Sequence, residues 1–475
     1  MTTFQLPPDL SGEVLVAGAG VSGVGCARML VQLGVNVSVA DDNETARLRI
    51  AEALGVSHLS VADARTRLHD FSMIVTSPGW NPRTPLLVAA GEANIPVIGD
   101  VELAWRLDQA GAFGEPHTWV AITGTNGKTT TTAMTTAMLQ AGGIKAASVG
   151  NIGVAIGDAL QATDRIDVLV AELSSFQLHW SDTLRPAVGC LLNIADDHID
   201  WHGSFLEYAA AKAKVLLSEV AIFGADDAAV LEQVALLRAS RQLADVRTVG
   251  FTLAEPETEQ LGVAADKLVD CAFSSREVLA PATEISPAGP AGQLDALAAA
   301  GISRALGVSG EAIAQALAGF EVSGHRGQVV HEMAGVTFID NSKATNPHAA
   351  DTAMRGLESI VWVAGGQLKD ADVSELVTKH AARIKHAVLL GVDRRVLADA
   401  LTAVRPDLSI TLIDTAEPAA AMEQAVAAAA TVMAAGDTVL LAPAAASLDM
   451  YSGMGQRGDM FAAAAQALSK PSEKE

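Results

Sequence analysis

Lys128 lies in a glycine turn, Gly124-Thr125-Asn126-Gly127-Lys128-Thr129-Thr130, directly after the apolar run Trp119-Val120-Ala121-Ile122. The Gly-Lys-Thr ending is that of a phosphate loop, although Ile122 stands where the GxxxxGK[ST] pattern places its first glycine. In such a loop free backbone amides cradle a nucleotide's phosphates. The lysine meets the β- and γ-phosphates, and the next hydroxyl, here Thr129, binds Mg2+. The expectation is ATP binding through residues 124–130. A second loop of another kind, Gly18-Ala19-Gly20-Val21-Ser22-Gly23, follows Val14-Leu15-Val16-Ala17 and opens a helical stretch through Leu33. Its glycines allow a tight turn and close approach of a phosphate to a helix N-terminus. Asp41 ends the next strand, 35–40, where a ribose- or base-binding carboxylate would sit. A nicotinamide dehydrogenase has use for this loop and none for the Lys128 loop, and an ATPase motor the reverse. An ATP-driven joining enzyme acting on a nucleotide-linked substrate uses both.

Groups for metal and anion binding follow other apolar runs. Glu172-Leu173-Ser174-Ser175 and Asn193-Ile194-Ala195-Asp196-Asp197-His198 each follow a strand pattern, and Asn151 lies in Gly150-Asn151-Ile152-Gly153. Ligands bind at the strand ends of open α/β sheets, so Glu172 and His198 are candidate metal ligands. A third block carries His325-Arg326, Asp340-Asn341-Ser342-Lys343-Ala344-Thr345-Asn346, Gly365-Gly366-Gln367-Leu368-Lys369 and Ala446-Ser447-Leu448-Asp449. Clustered beside glycines at strand ends, these cations and hydroxyls read as anchors for carboxylates and phosphates.

Short, continuous apolar runs must position these groups, and they recur at 73–75, 168–171, 188–192, 360–364, 387–390 and 439–442 with helical stretches between them. Continuous rather than alternating runs mark parallel strands covered on both faces, giving an α/β fold. A length of 475 residues suggests about three domains. Candidate seams lie at Ile98-Gly99-Asp100 and at 320–324, residues 286–292 read as a loop inside the middle block, and the tail from Ser469 reads as frayed. With 50% hydrophobic residues, disorder over most of the chain is excluded. Lys plus Arg is 32 against 55 Asp plus Glu, a net charge of −23 that argues against nucleic acid or a polybasic membrane patch as partner. Cys26, Cys190 and Cys271 show no CxxC spacing and read as reduced thiols. No signal peptide is visible at the start, and the alanine-rich stretch 425–435 is too short for a membrane span, so a soluble cytoplasmic protein is expected.

Taken in order, the chain resembles the Mur ligase family over nearly its whole length. The resemblance rests on residues 18–23 with Asp41, Thr76-Ser77-Pro78-Gly79, residues 124–130, Gly150-Asn151-Ile152-Gly153, Glu172-Leu173-Ser174-Ser175-Phe176-Gln177-Leu178, Asp197-His198 and Ser342-Lys343-Ala344-Thr345-Asn346. The phosphate loop alone also fits folylpolyglutamate synthases, whereas the Ser-Lys-Ala-Thr-Asn segment points to a member that adds D-glutamate.

The resemblance implies a Rossmann-like domain for a UDP-sugar substrate (1–100), a central phosphate-loop ATPase domain with a mostly parallel sheet (101–321) and a Rossmann-like C-terminal domain that closes on them (322–475). It implies a cytoplasmic step of peptidoglycan precursor synthesis, in which UDP-N-acetylmuramoyl-L-alanine is phosphorylated on its carboxylate by ATP and the acyl phosphate is captured by D-glutamate. A monomer using ATP and two Mg2+ sites is expected. By position, Gly18, Gly20, Val21, Ser22, Gly23, Asp41, Ser77, Pro78 and Gly79 would bind the UDP substrate. Gly124, Thr125, Asn126, Gly127, Lys128, Thr129, Thr130, Arg326 and Asp340 would bind ATP. Thr129, Glu172 and His198 would hold metal, with Lys212 joining them if carbamylated. Asn151 would lie by the acyl phosphate, and Lys343, Thr345, Lys369 and Ser447 would receive D-glutamate or steady the acyl phosphate. Lys128, Asn151, His198, Lys212 and Lys343 would form the catalytic set. The chain departs from the family at 291–299, where a His-Asn pair usually leads into Asn-Ala-Leu-Ala-Ala, and at Met454, where an aromatic residue is common.

Overall fold

The computed structural model describes residues 6–321, 324–369 and 371–468. The tail from Ser469 and part of the second seam, Val322 and Ser323, lie outside them. The described residues form three sheets. The first contains β1 (Glu13–Ala17), β2 (Asn36–Ala40), β3 (Ser57–Leu59), β4 (Phe71–Thr76) and β5 (Val97–Gly99), all parallel in the order β3-β2-β1-β4-β5. Strand order reverses between β1 and β4, so the loops leaving their carboxyl ends diverge and open a crevice. The glycine loop after β1 and Ser77-Pro78-Gly79 after β4 flank that crevice.

The second sheet contains β6 (Thr118–Thr123), β7 (Ala146–Gly150), β8 (Val168–Glu172), β9 (Val188–Leu191), β10 (Val220–Gly224), β11 (Arg247–Phe251), β12 (Gln260–Ala264), β13 (Lys267–Asp270) and β14 (Glu277–Pro281). Its order is β14-β13-β12-β11-β10-β9-β6-β8-β7, parallel except for the antiparallel β12-β13-β14 end. Every residue of β8 is buried, as a parallel strand covered on both faces requires. Its core includes the helix Pro290–Ala305, in which residues 296–300 are fully buried. Residues 290–292 therefore begin a helix, and the loop expected over 286–292 is shorter: Pro290 supplies the fixed backbone angle that starts a helix.

These two sheets share one compact unit made of Met1–Ile194, Trp201–Ile285 and Gly292–Phe320. No loose linker separates them, because the helix Asp100–Gln109 follows β5 directly. Two of its acids are anchored. Glu102, with no exposed surface, accepts from the Thr183 amide and hydroxyl and from Arg106. Asp108 accepts from the His117 amide (3.0 Å) and the Trp119 indole (2.8 Å) and contacts His117 Nδ1 (2.6 Å).

The second compact unit takes in Ala195–Asp200, Ser286–Ala291 and the chain from Glu321. Its sheet contains β15 (Gln328–Met333), β16 (Val336–Asp340), β17 (Ile360–Gly365), β18 (Ile384–Leu390), β19 (Ser409–Leu412) and β20 (Thr438–Leu441), in the order β15-β16-β20-β17-β18-β19. Only the β15–β16 pair is antiparallel. The expected strands form where their apolar runs lie, most within a residue of the sequence limits, whereas β4 begins two residues earlier at Phe71 and β18 three earlier at Ile384; the cysteines are unpaired thiols. Among the described residues no helix is long and apolar enough to cross a membrane.

An ion cluster locks the helix Pro347–Met354 to the helix Ser374–His380. Asp351 receives Arg355 (2.6 Å) and Lys379 (2.9 Å) and lies 2.6 Å from His380 Nε2. Burial pushes the Asp351 carboxyl up, but His380, Lys379 and Arg355 together hold it well below the usual carboxylate range. A depressed carboxylate contributes stability above its unfolded pKa, near 3.9, and loses it as pH falls through the folded value. Asp351→Asn is therefore expected to lower the thermal midpoint by several degrees at pH 6–8, with the gap to wild type narrowing below about pH 4, as calorimetry across pH would show.

Candidate active site

The phosphate loop leaves β6, the third strand from the β7 end of the second sheet, and enters the helix Lys128–Ala141. Gly127 has φ +83, and a Cβ there would lie 2.3 Å from Asp295 Oδ1, so both backbone angle and space require glycine. Asp295 also accepts from the Thr131 hydroxyl (3.1 Å), pinning the helix's first turn. Asn193, after β9, clasps the loop from the other side: its carbonyl receives the Thr125 amide, its Oδ1 the Asn126 amide (2.8 Å), and its Nδ2 donates to the Asn126 carbonyl. Thr125 Oγ1 lies 2.9 Å from the Tyr208 hydroxyl.

Lys128 Nζ donates to the Gly124 and Thr125 carbonyls, each at 2.8 Å. Lys212 reaches the same Gly124 oxygen at 2.7 Å, with its ammonium 4.9 Å from the Tyr208 ring centroid. By sequence an ordinary helix lysine, Lys212 is 2% exposed. The helix Phe205–Ala213 surrounds it with alanines and turns that face inward.

Glu172 ends β8, the neighbour of β6. It is 4% exposed, and its Oε2 is buried without a hydrogen-bond partner. A buried carboxylate oxygen left in this state calls for a cation. The oxygen donors of Glu172 and Thr129, with substrate phosphates completing the shell, fit Mg2+, which takes few protein ligands. Among the described residues no group of three or more His, Cys, Asp or Glu gathers as a preformed cage. Gly150, with φ +95, brings Asn151 beside this strand end, where the Asn151 amide donates to the Glu172 carbonyl (3.0 Å). His198, with φ +55 and Nε2 3.5 Å from Asp197, belongs to the second compact unit.

In the first sheet, Gly18 has φ +110 and a Gly23 Cβ would lie 1.9 Å from its carbonyl oxygen, so the turn closes only with glycine at both positions. Val21, the first helical residue, is 86% exposed at the crevice. Asp41, expected to face a ribose, has both oxygens engaged by the chain: Oδ2 accepts from the Ala19 amide (2.6 Å) and Oδ1 from Asn43. Its visible work is to brace the glycine loop. The Ser77 hydroxyl is buried against Gly18 without a hydrogen-bond partner.

The third sheet gathers its candidates at one edge. Lys343 and Thr345 follow β16, Lys369 follows β17 and Ser447 follows β20, and these three strands are neighbours. Arg326 lies just before β15, whose start pairs with Asp340 at the end of β16. Asp340 is fully buried between His325 Nδ1 (2.6 Å) and the Ser342 amide (2.9 Å), so it orders its own loop. Arg457, unremarked in the sequence, ties this edge together. It is 1% exposed and donates to Ser342 Oγ (3.0 Å), the Ser342 carbonyl (2.8 Å) and the Ala445 carbonyl (3.1 Å). Burial lowers its pKa to about 10, which leaves it charged at neutral pH. Arg457, Asp295 and Asn193 carry no local signal, because their partners are remote in sequence. Gly127→Ala is expected to weaken binding of an ATP analogue at least about tenfold without unfolding the chain, as calorimetric titration would show.

The chain matches three family models: the Mur ligase MurD-like N-terminal domain over residues 12–99, the Mur ligase middle domain over 122–272, and the Mur ligase glutamate ligase domain over 325–445. It is 58% identical to the UDP-N-acetylmuramoylalanine--D-glutamate ligase of Corynebacterium efficiens, covering 97% of this chain and 96% of the relative. It is 46% identical to the enzyme of that name from Mycobacterium tuberculosis, covering 97% of each. Among solved structures, the UDP-N-acetylmuramate-alanine ligase MurC of Thermotoga maritima shares the fold at 16% identity and a TM-score of 0.55, over 96% of this chain and all of that one. With these models along its length and relatives this similar over nearly all of it, the chain belongs to the Mur ligase family.

Proposed function

We propose that the chain is an ATP-dependent ligase that joins D-glutamate to UDP-N-acetylmuramoyl-L-alanine in peptidoglycan precursor synthesis. The observation that carries this reading is near-full-length similarity, at 45–58% identity, to enzymes named for that reaction. Nothing in those relatives favours an NAD-dependent oxidoreductase or a folylpolyglutamate-type ligase.

A carboxylate is a poor acylating group, so one of its oxygens first attacks the γ-phosphorus of ATP; ADP leaves and an acyl phosphate forms. The D-glutamate amine then adds to the acyl carbon. The tetrahedral intermediate expels inorganic phosphate, and the nitrogen loses a proton as the amide forms. Backbone amides of residues 124–130 hold the nucleotide phosphates, and Lys128 offsets their charge. Mg2+, when bound, screens the repulsion between phosphate and carboxylate; Thr129, Glu172, His198 and a carbamylated Lys212 would hold it, at two sites. Asn151 would lie beside the acyl phosphate, and Arg326 beside the nucleotide. Lys343, Thr345, Lys369 and Ser447 would receive D-glutamate. The loop at 18–23, with 77–79, would take the UDP group. Domain limits near 100 and 321, a monomeric state and a cytoplasmic location complete the proposal.

Phosphate release with UDP-N-acetylmuramoyl-L-alanine and ATP is expected to depend on D-glutamate; release with L-amino acids and none with D-glutamate would sink the assignment. Lys128→Ala is expected to abolish turnover while titration still shows the UDP substrate bound. Wild-type rates from that variant would refute the role given to the phosphate loop.

A further inference from the structure

His202, the last residue of the short helix Ile199–His202, stands between two parts of the candidate site without belonging to either. Its Nε2 lies 2.9 Å from the Ser175 hydroxyl, and both side chains are buried. Ser175 opens the helix Ser175–His179, three residues beyond Glu172 at the end of β8. The His202 ring stacks on Phe176, with centroids 5.7 Å apart and planes within 14° of parallel. It meets the buried Tyr208 ring edge-on at 5.3 Å. The Tyr208 hydroxyl in turn lies 2.9 Å from Thr125 Oγ1, inside the phosphate loop. A line of contacts thus runs from the Glu172 end of β8 through His202 to the turn that precedes Lys128.

Packing alone does not call for a histidine at this point. The rings of Phe176, His179, Trp201 and Tyr208 surround it, and a phenylalanine would stack among them at a lower desolvation cost. What the imidazole adds is one polar contact, and that contact falls on the turn leaving β8. Two bonds latch the start of this turn to β6, from the Leu173 amide to the Ile122 carbonyl and from the Thr123 hydroxyl to the Leu173 carbonyl. Beyond Leu173, the Ser174–Gln177 capping box is local to its own helix. The Ser175–His202 bond is the next tie to a remote segment. Glu172 and residues 124–130 would act on one bound nucleotide, so their separation has to be held to a fraction of an ångström.

We propose that His202 is a positioning residue, which through Ser175 and Tyr208 fixes the Glu172 end of β8 relative to the phosphate loop. This rests on the ligase reading above. Calorimetric titration of the full chain with a non-hydrolysable ATP analogue, alongside steady-state kinetics, tests it. His202→Phe keeps a stacked ring and removes the polar contact. It is expected to weaken analogue binding about tenfold with Mg2+ present and less than about twofold without it. It is also expected to lower kcat about tenfold and leave the KM for UDP-N-acetylmuramoyl-L-alanine within about twofold. Ser175→Ala removes the same contact from the other side and is expected to give the same pattern, with the double variant no worse than either single one. His202→Gln carries an amide nitrogen about as far from the backbone as Nε2, and is expected to return both readouts to within about threefold of wild type. Equal weakening with and without Mg2+, additive losses in the double variant, or no recovery with glutamine would overturn the proposal. Ser175→Ala decides the matter if His202→Phe does not fold. A wild-type chain without D-glutamate-dependent turnover would sink the ligase reading while the titrations still tested His202, whereas normal turnover with unaffected variants would sink the inference alone.

Discussion

Glu172 Oε2 is buried at the end of β8 without a hydrogen bond, a state that costs on the order of 1–3 kcal/mol or more for a charged group. The second sheet is built so that this cost is tolerated. β8 is buried throughout, its last turn is latched by Leu173 to the Ile122 carbonyl and by the Thr123 hydroxyl to the Leu173 carbonyl, and the phosphate loop begins one strand away. The carboxylate cannot swing toward water to relieve itself. An oxygen acceptor is thereby held in place before any ligand arrives, which is how a preorganised site lowers the cost of the later chemical step.

Much of this arrangement was legible in the sequence. Strands buried on both faces must be apolar at every position, so runs such as 168–171 announce themselves, and glycines at strand ends mark turns that no other residue fits. What could not be read is contact between distant residues. Asp41 and Asp340 are expected to bind nucleotide; the backbone amides they hold, Ala19 in the glycine loop for Asp41 and Ser342 for Asp340, could not be read from the pattern. Lys212 looks solvated in sequence because a helix shows its periodicity but not which neighbour covers it. Asp295 stands where the family usually carries other residues, and only folding brings it against Gly127.

The third sheet meets the same demand with the opposite charge. On the proposed reading, a chain of net charge −23 presents a locally positive edge to carboxylate and phosphate. Arg457 does this from beneath, satisfying carbonyls in the loops after β16 and β20 while remaining protonated. Lys343 and Lys369 stand on loops whose shape depends on it, at neighbouring strand ends. Cations on rigid supports act on a ligand without first losing side-chain freedom.

On the proposed reading, the contacts of Lys128 bear on turnover. Its ammonium already holds the Gly124 and Thr125 carbonyls, so grasping a phosphate is an exchange of partners rather than a net gain of bonds. The reverse exchange would accompany departure of the spent nucleotide: as ADP leaves, the lysine recovers two neutral acceptors, the Gly124 and Thr125 carbonyls. A loop with its own internal substitute for phosphate holds nucleotide less tightly than one without, and in return it lets product go without leaving the lysine short of acceptors.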